Sequence, residues 1–167
     1  MGHSIISHLD LNFFELDKFW IRKFAVRGGK TDWVISQIAC IKEWDPNFVF
    51  LQIGGNDILN ETNVRQITDI KFFYDALSTC NIRVFVGELL VRGKVKEKYV
   101  SDVNTYMRYR NCICRVLRNK KFPGMDVIIH TNLNLGNHFA EDEIHLNHYG
   151  NFTLAKCIMD KCKEYLN

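Results

Sequence analysis

The sequence has no apolar run approaching the roughly 18 residues that a membrane-spanning helix needs. It shows no leading signal sequence and no long polar tract of the kind that stays unfolded. Charge of one sign is scarce as well: 22 Lys+Arg against 19 Asp+Glu leave a formal net charge of +3, too little to argue for nucleic acid by itself. No β-hairpin signal separates the apolar stretches. Nor is there a convincing zinc pattern, because the i,i+2 spacing of Cys112 and Cys114 on a helix points the side chains apart, and Cys157-x4-Cys162 is no better. What is present, 167 residues with 47% hydrophobic and 25% charged, suits one globular domain over residues 1–167 with enough chain for a real core. Six cysteines (Cys40, Cys80, Cys112, Cys114, Cys157, Cys162) lie mostly within apolar or helical patterns, and a domain of this size needs no staples. They are expected to be reduced thiols in an intracellular, cytoplasmic protein.

The apolar spacing alternates between two periods. Residues from Ile5 to about Trp20 suggest a helix with a loop, Phe24 to Val26 a short strand, and Arg27 to Thr31 the turn after it. Thr31 or Asp32 would cap a helix that carries Trp33, Val34, Ile38, Ile41 and Trp44 and stops at Asp45-Pro46. Phe48 to Ile53 is an almost unbroken apolar run, as expected of a parallel strand covered on both faces. Helical spacing returns from Val64 to Ser78, followed by a buried strand at Val84 to Val86 and a basic loop over Val91 to Lys96. A long helix is expected from Tyr99 to Leu117, a break at Pro123-Gly124, a strand from Asp126 to His130 and a last helix from about Tyr149 to Tyr165. Strands that alternate with helices indicate an α/β domain, with a parallel sheet between helical layers. In such sheets, reactive loops lie beyond the carboxyl ends of the strands.

Three polar blocks interrupt this pattern, and all would lie at such ends if a strand preceded Ser4. In Asp142-Glu143-Ile144-His145-Leu146-Asn147 an acid stands three positions before a histidine. That spacing lets the carboxylate accept a hydrogen bond from one imidazole nitrogen and leaves the other free as a base. Such a pair needs a nucleophile, and Gly2-His3-Ser4 offers one at the opposite end of the chain. Between them, Gly54-Gly55-Asn56-Asp57 directly follows an apolar strand. Taken singly, each block has a structural explanation: Ser4 or Asp142 as a helix cap, His145 as a surface histidine, Asn56-Asp57 as an Asx turn. Taken together and in this order, they point to a serine hydrolase.

The set Gly-x-Ser, a turn glycine, Gly-x-Asn-Asp and Asp-x-x-His resembles the SGNH (GDSL-type) hydrolase superfamily over nearly the whole chain. With Gly87-Glu88-Leu89-Leu90-Val91-Arg92 and the Leu-Asn-x-x-Gly-Asn that follows His145, it looks most like the SGNH domains of animal retroelements. The resemblance implies a three-layer α/β/α fold with a flavodoxin-like parallel sheet. It implies Ser4 as nucleophile, His145 as general base and Asp142 as the residue that orients His145. The oxyanion hole would be the N–H of Ser4, the N–H of Gly29 (with Gly28 as the alternative) and the side-chain amide of Asn56. Such an enzyme cleaves small or lipid-like carboxylic esters through an acyl-enzyme and needs neither cofactor nor metal. The alternative is a catalytically idle SGNH domain used for binding, RNA for instance.

The remaining histidines (His3, His8, His130, His138, His148) are expected to be surface or structural. The Arg92/Lys94/Lys96/Lys98 run and Arg108, Arg110, Arg115 and Arg118 are expected to form a solvated face, with a phosphate-bearing partner as the other reading. Two departures from the family pattern stand out. His3 occupies the place of its usual acid, and the buried strand that precedes the serine turn has no counterpart, since the chain starts at Met1-Gly2. A gap in the middle of the sheet is therefore expected.

Overall fold

The structure, a computed structural model, describes residues 1–15, 19–59, 63–95, 102–119, 125–128, 130 and 132–166, without the side chains of Leu59 and Asn63. Three strands, β1 (Phe48–Leu51), β2 (Arg83–Gly87) and β3 (Asp126–Ile128), form a parallel sheet in that order. Gly2 adds a bridge on the open side of β1, pairing in parallel with Gln52 on one side and Ala25 on the other. The order across the sheet is thus the Ala25 segment, Gly2, β1, β2, β3. This is the flavodoxin-like arrangement, reduced at its first two positions to bridges.

Side-chain alternation along the strands divides the core in two. Val49, Leu51, Val84 and Val86 face one layer, built from α2 (Thr31–Ser36), α3 (Ile38–Trp44), α4 (Asn63–Ser78) and α5 (Val103–Arg118). Phe48, Phe50 and Phe85 face the other, built from α1 (Ser4–Ser7) and α7 (His148–Lys163). Helix α6 (Leu135–His138) packs against α7. The sheet is therefore covered on both faces by helices, which is why β2 is buried from Val84 onward.

Several elements differ from the sequence expectation. The helix expected from Ile5 shrinks to α1 and a 3-10 turn at Leu11–Phe13. The strand at Phe24 to Val26 survives only as the Ala25 bridge. The single helix from Thr31 breaks at Gln37 into α2 and α3, and its cap position is Lys30, with no side-chain cap bond. Tyr99, the Pro123-Gly124 break, Ile129, Lys96 and Lys98 lie outside the described residues.

The expected gap is present in part. Met1 lies between the neighbouring strands: Gln52 N–H donates to its carbonyl at 2.8 Å, and its amine donates to the Phe50 carbonyl at 2.6 Å. Beyond Met1 lies a cavity of about 480 Å³, lined by Arg22, Lys23, Asn47, Phe48 and Phe50 from the two strand segments, with Ile158 and Met159 of α7 below. No described helix is long and apolar enough to cross a membrane.

Candidate active site

Beyond the carboxyl end of the Gly2 bridge the chain turns directly into α1. His3 is its cap: extended at ψ −152°, it accepts the Ile5 N–H at Nδ1 over 3.4 Å. The histidine thus serves as a helix cap where the family pattern has an acid. Burial, then the charge of Arg92, then His145 push its pKa down to about 3, so it stays neutral. Ser4 follows as the first helical residue, where a backbone N–H has no intrahelical acceptor, and its side chain is half-buried.

The Ala140–His145 loop brings the opposite end of the chain to this point. Asp142 Oδ1 accepts the N–H groups of Ile144 and His145, each at 2.9 Å, while its Oδ2 lies 2.5 Å from His145 Nδ1. One carboxylate thereby shapes the loop and orients the ring. Desolvation would raise its pKa, but the His145 backbone N–H, the imidazole and the Ile144 N–H outweigh it and hold it at about 2. With Nδ1 facing a carboxylate, the other ring nitrogen is left to act as a base. His145 Nε2 lies 3.0 Å from Ser4 Oγ, across 141 positions of sequence.

The loop is anchored by the Asn and Gly of the motif that follows His145, to which the sequence assigned no role. Asn147, not Asp142, caps α7, accepting the Gly150 N–H at 2.8 Å and donating to the carbonyls of Asn137 and Phe139. Gly150 must lack a side chain, because a Cβ there would stand 2.1 Å from the His138 carbonyl oxygen.

Compared with solved structures, the chain superimposes on a GDSL-like lipase from Bacteroides thetaiotaomicron with a TM-score of 0.80 at 13% identity, covering 98% of this chain and 86% of that one. The fold is GDSL-like. An acetyl xylan esterase matches at TM-score 0.72 and 15% identity, covering 96% of both chains. TesA matches at 0.73 and 15%, covering 98% of this chain and 96% of its own. No family model and no curated protein matches the sequence.

Within the GDSL-like fold, the two other predicted site residues share one turn contact. Asn56 follows the bridge at Gln52 and donates from Nδ2 to the Gly29 carbonyl at 3.1 Å. Gly29 is buried, and its own N–H donates to the Val26 carbonyl at 3.2 Å, closing a turn in which Gly28 takes φ +73°. Asp57 fastens this turn from beneath: its Oδ1 accepts both the Thr31 N–H at 2.8 Å and the Thr31 hydroxyl at 2.9 Å.

The basic run does not lie wholly in solvent. Arg92 is not on a solvated face: it is 8% exposed and donates to Asn56 Oδ1 at 3.2 Å. Arg110 is half-buried, donating to the Leu89 carbonyl, whereas Arg108, Arg115, Arg118 and Lys94 are exposed. Among the other histidines, His130 and His138 are buried, while His8 and His148 are exposed. His8 packs edge-on against His145, ring centroids 5.5 Å apart. Among the described residues no group of three or more His, Cys, Asp or Glu side chains is placed to hold a metal ion.

Proposed function

We propose that the protein is a serine esterase that cleaves carboxylic esters through an acyl-enzyme. The observation that carries this reading is the hydrogen-bonded chain Ser4 Oγ, His145 Nε2, His145 Nδ1, Asp142 Oδ2, with separations of 3.0 and 2.5 Å. A serine hydroxyl is a poor nucleophile until a base takes its proton. In this reading His145 accepts the Ser4 proton as Oγ attacks the ester carbonyl. Asp142, ionised and fixed by two backbone N–H groups, stabilises the imidazolium that forms. His145 then protonates the departing alcohol, and a water deprotonated by the same imidazole releases the acid.

The negative oxygen of the tetrahedral intermediate needs donors that are already aimed. The Ser4 N–H is one. Asn56 supplies the second, because an amide carries two hydrogens and the bond to Gly29 uses one. The Gly29 N–H is the third and must exchange its turn bond to Val26 for the substrate oxygen. GDSL-like lipases and esterases among the structures of like fold support this reading, and the sequence motifs relate it most nearly to the SGNH domains of animal retroelements. The substrate is a small or lipid-like ester. Six free cysteines suit a reducing compartment, and we place the enzyme inside the cell.

A fluorophosphonate probe tests the proposal. The folded protein is expected to form one covalent adduct that disappears in Ser4→Ala and His145→Ala. Folded protein that takes up no adduct, or a Ser4→Ala variant labelled as well as the wild type, would overturn it.

A further inference from the structure

We infer that Arg92 is a positioning residue for the oxyanion hole, holding the Asn56 amide in its donating orientation and strengthening it as a donor. The inference rests on the esterase reading above and gives that site a residue beyond the triad and the three oxyanion donors.

The geometry leaves the guanidinium little other purpose. Arg92 is a buried cation, 8% exposed. Among the described residues its one hydrogen-bonding partner is Asn56 Oδ1, at 3.2 Å. Its guanidinium carbon lies 5.1 Å from the Tyr106 ring centroid, and the Tyr106 hydroxyl is tied to the Leu90 carbonyl at 3.1 Å, so the aromatic face is itself fixed. Gly55 makes room on the other side, since a Cβ there would stand 2.8 Å from Arg92 Nη2. Burying a cation without a carboxylate is unfavourable, and in this fold the burial ends on the amide expected to face the reacting oxygen.

The chemistry of the amide explains the arrangement. A primary amide has a donating and an accepting end, and a half-turn about its last torsion exchanges them. An Asn56 turned the wrong way would present a carbonyl oxygen to the developing oxyanion and repel it. Guanidinium groups only donate, so Arg92 accepts Oδ1 as its neighbour and rejects the amide nitrogen. The Gly29 carbonyl, which only accepts, imposes the same choice from the other end. Two one-way partners therefore fix a single orientation. The charge adds a second effect: a charge-assisted bond at Oδ1 draws electron density from the amide and makes its remaining N–H a stronger donor. The same charge is felt at His3, the neighbour of Ser4.

A double-mutant cycle on the purified chain tests this, with p-nitrophenyl acetate as substrate. Arg92→Ala is expected to lower kcat about tenfold or more while KM changes little, because the bond matters only when the oxyanion forms. In an Asn56→Ala background the same change should have less than about a twofold effect. Arg92→Lys, which keeps the charge but loses the fork, should recover part of the rate. Equal losses in both backgrounds would overturn the inference and leave Arg92 a packing residue. An arm independent of turnover follows the Asn56 side-chain NH2 signals by 15N NMR. These are expected to shift and broaden in Arg92→Ala while thermal unfolding confirms a folded chain, and unchanged signals would overturn the inference. If the wild type shows neither turnover nor probe adduct, the esterase reading falls, and the NMR arm alone decides whether Arg92 orients Asn56.

Discussion

The Asp142 carboxylate has two tasks that a conservative change separates. Its Oδ1 orders the loop through two backbone bonds, and its Oδ2 faces the imidazole. Asp142→Asn keeps an acceptor for the loop but can present an amide nitrogen to His145 Nδ1, favouring the tautomer whose Nε2 carries the proton. Turnover is then expected to fall on the order of 10³–10⁴ with little change in thermal stability. Ester-hydrolysis kinetics together with a melting curve would check both halves, and a loss below tenfold would deny Asp142 its orienting task. The meeting of Ser4, His145 and Asp142 was legible because each is a polar residue in a block whose order along the chain carries the information. Arg92 was not. It opens a basic run, and charge runs ordinarily lie in water; only the fold reveals that the first member points inward, past Gly55, to Asn56.

Strands and helices were legible wherever burial is strongly periodic. The unbroken apolar runs became β1 and β2, and the helical spacing from Val64 to Ser78 became α4, one residue longer at its start. Short elements were not, because bridges such as Gly2 to Ala25 are made by distant partners and not by local preference. The break at Gln37 likewise leaves no mark in the apolar spacing. The division of the core also ranks the elements energetically. Phe85 is fully buried and stacks on Phe48 with ring centroids 5.6 Å apart, so Phe85→Ala is expected to cost about 3–5 kcal/mol. Val64, at the exposed start of α4, should change stability by less than about 0.5 kcal/mol on truncation to Ala. Urea unfolding of the two variants provides the comparison, and similar midpoints would contradict this description of the core.

At the scale of the molecule, two buried imidazoles tie stability to pH. Burial and then Arg92 and His145 push His3 down to about 3, and burial with Arg110 pushes His130 down to about 4. Unfolded, both imidazoles take up protons near 6.5. Between 6.5 and those values the unfolded chain binds more protons than the folded one. Stability is therefore complete above pH 6.5 and declines below it, by up to about 1.4 kcal/mol per pH unit for each group. Urea midpoints should drop between pH 7 and pH 5, and identical midpoints would contradict two neutral buried rings.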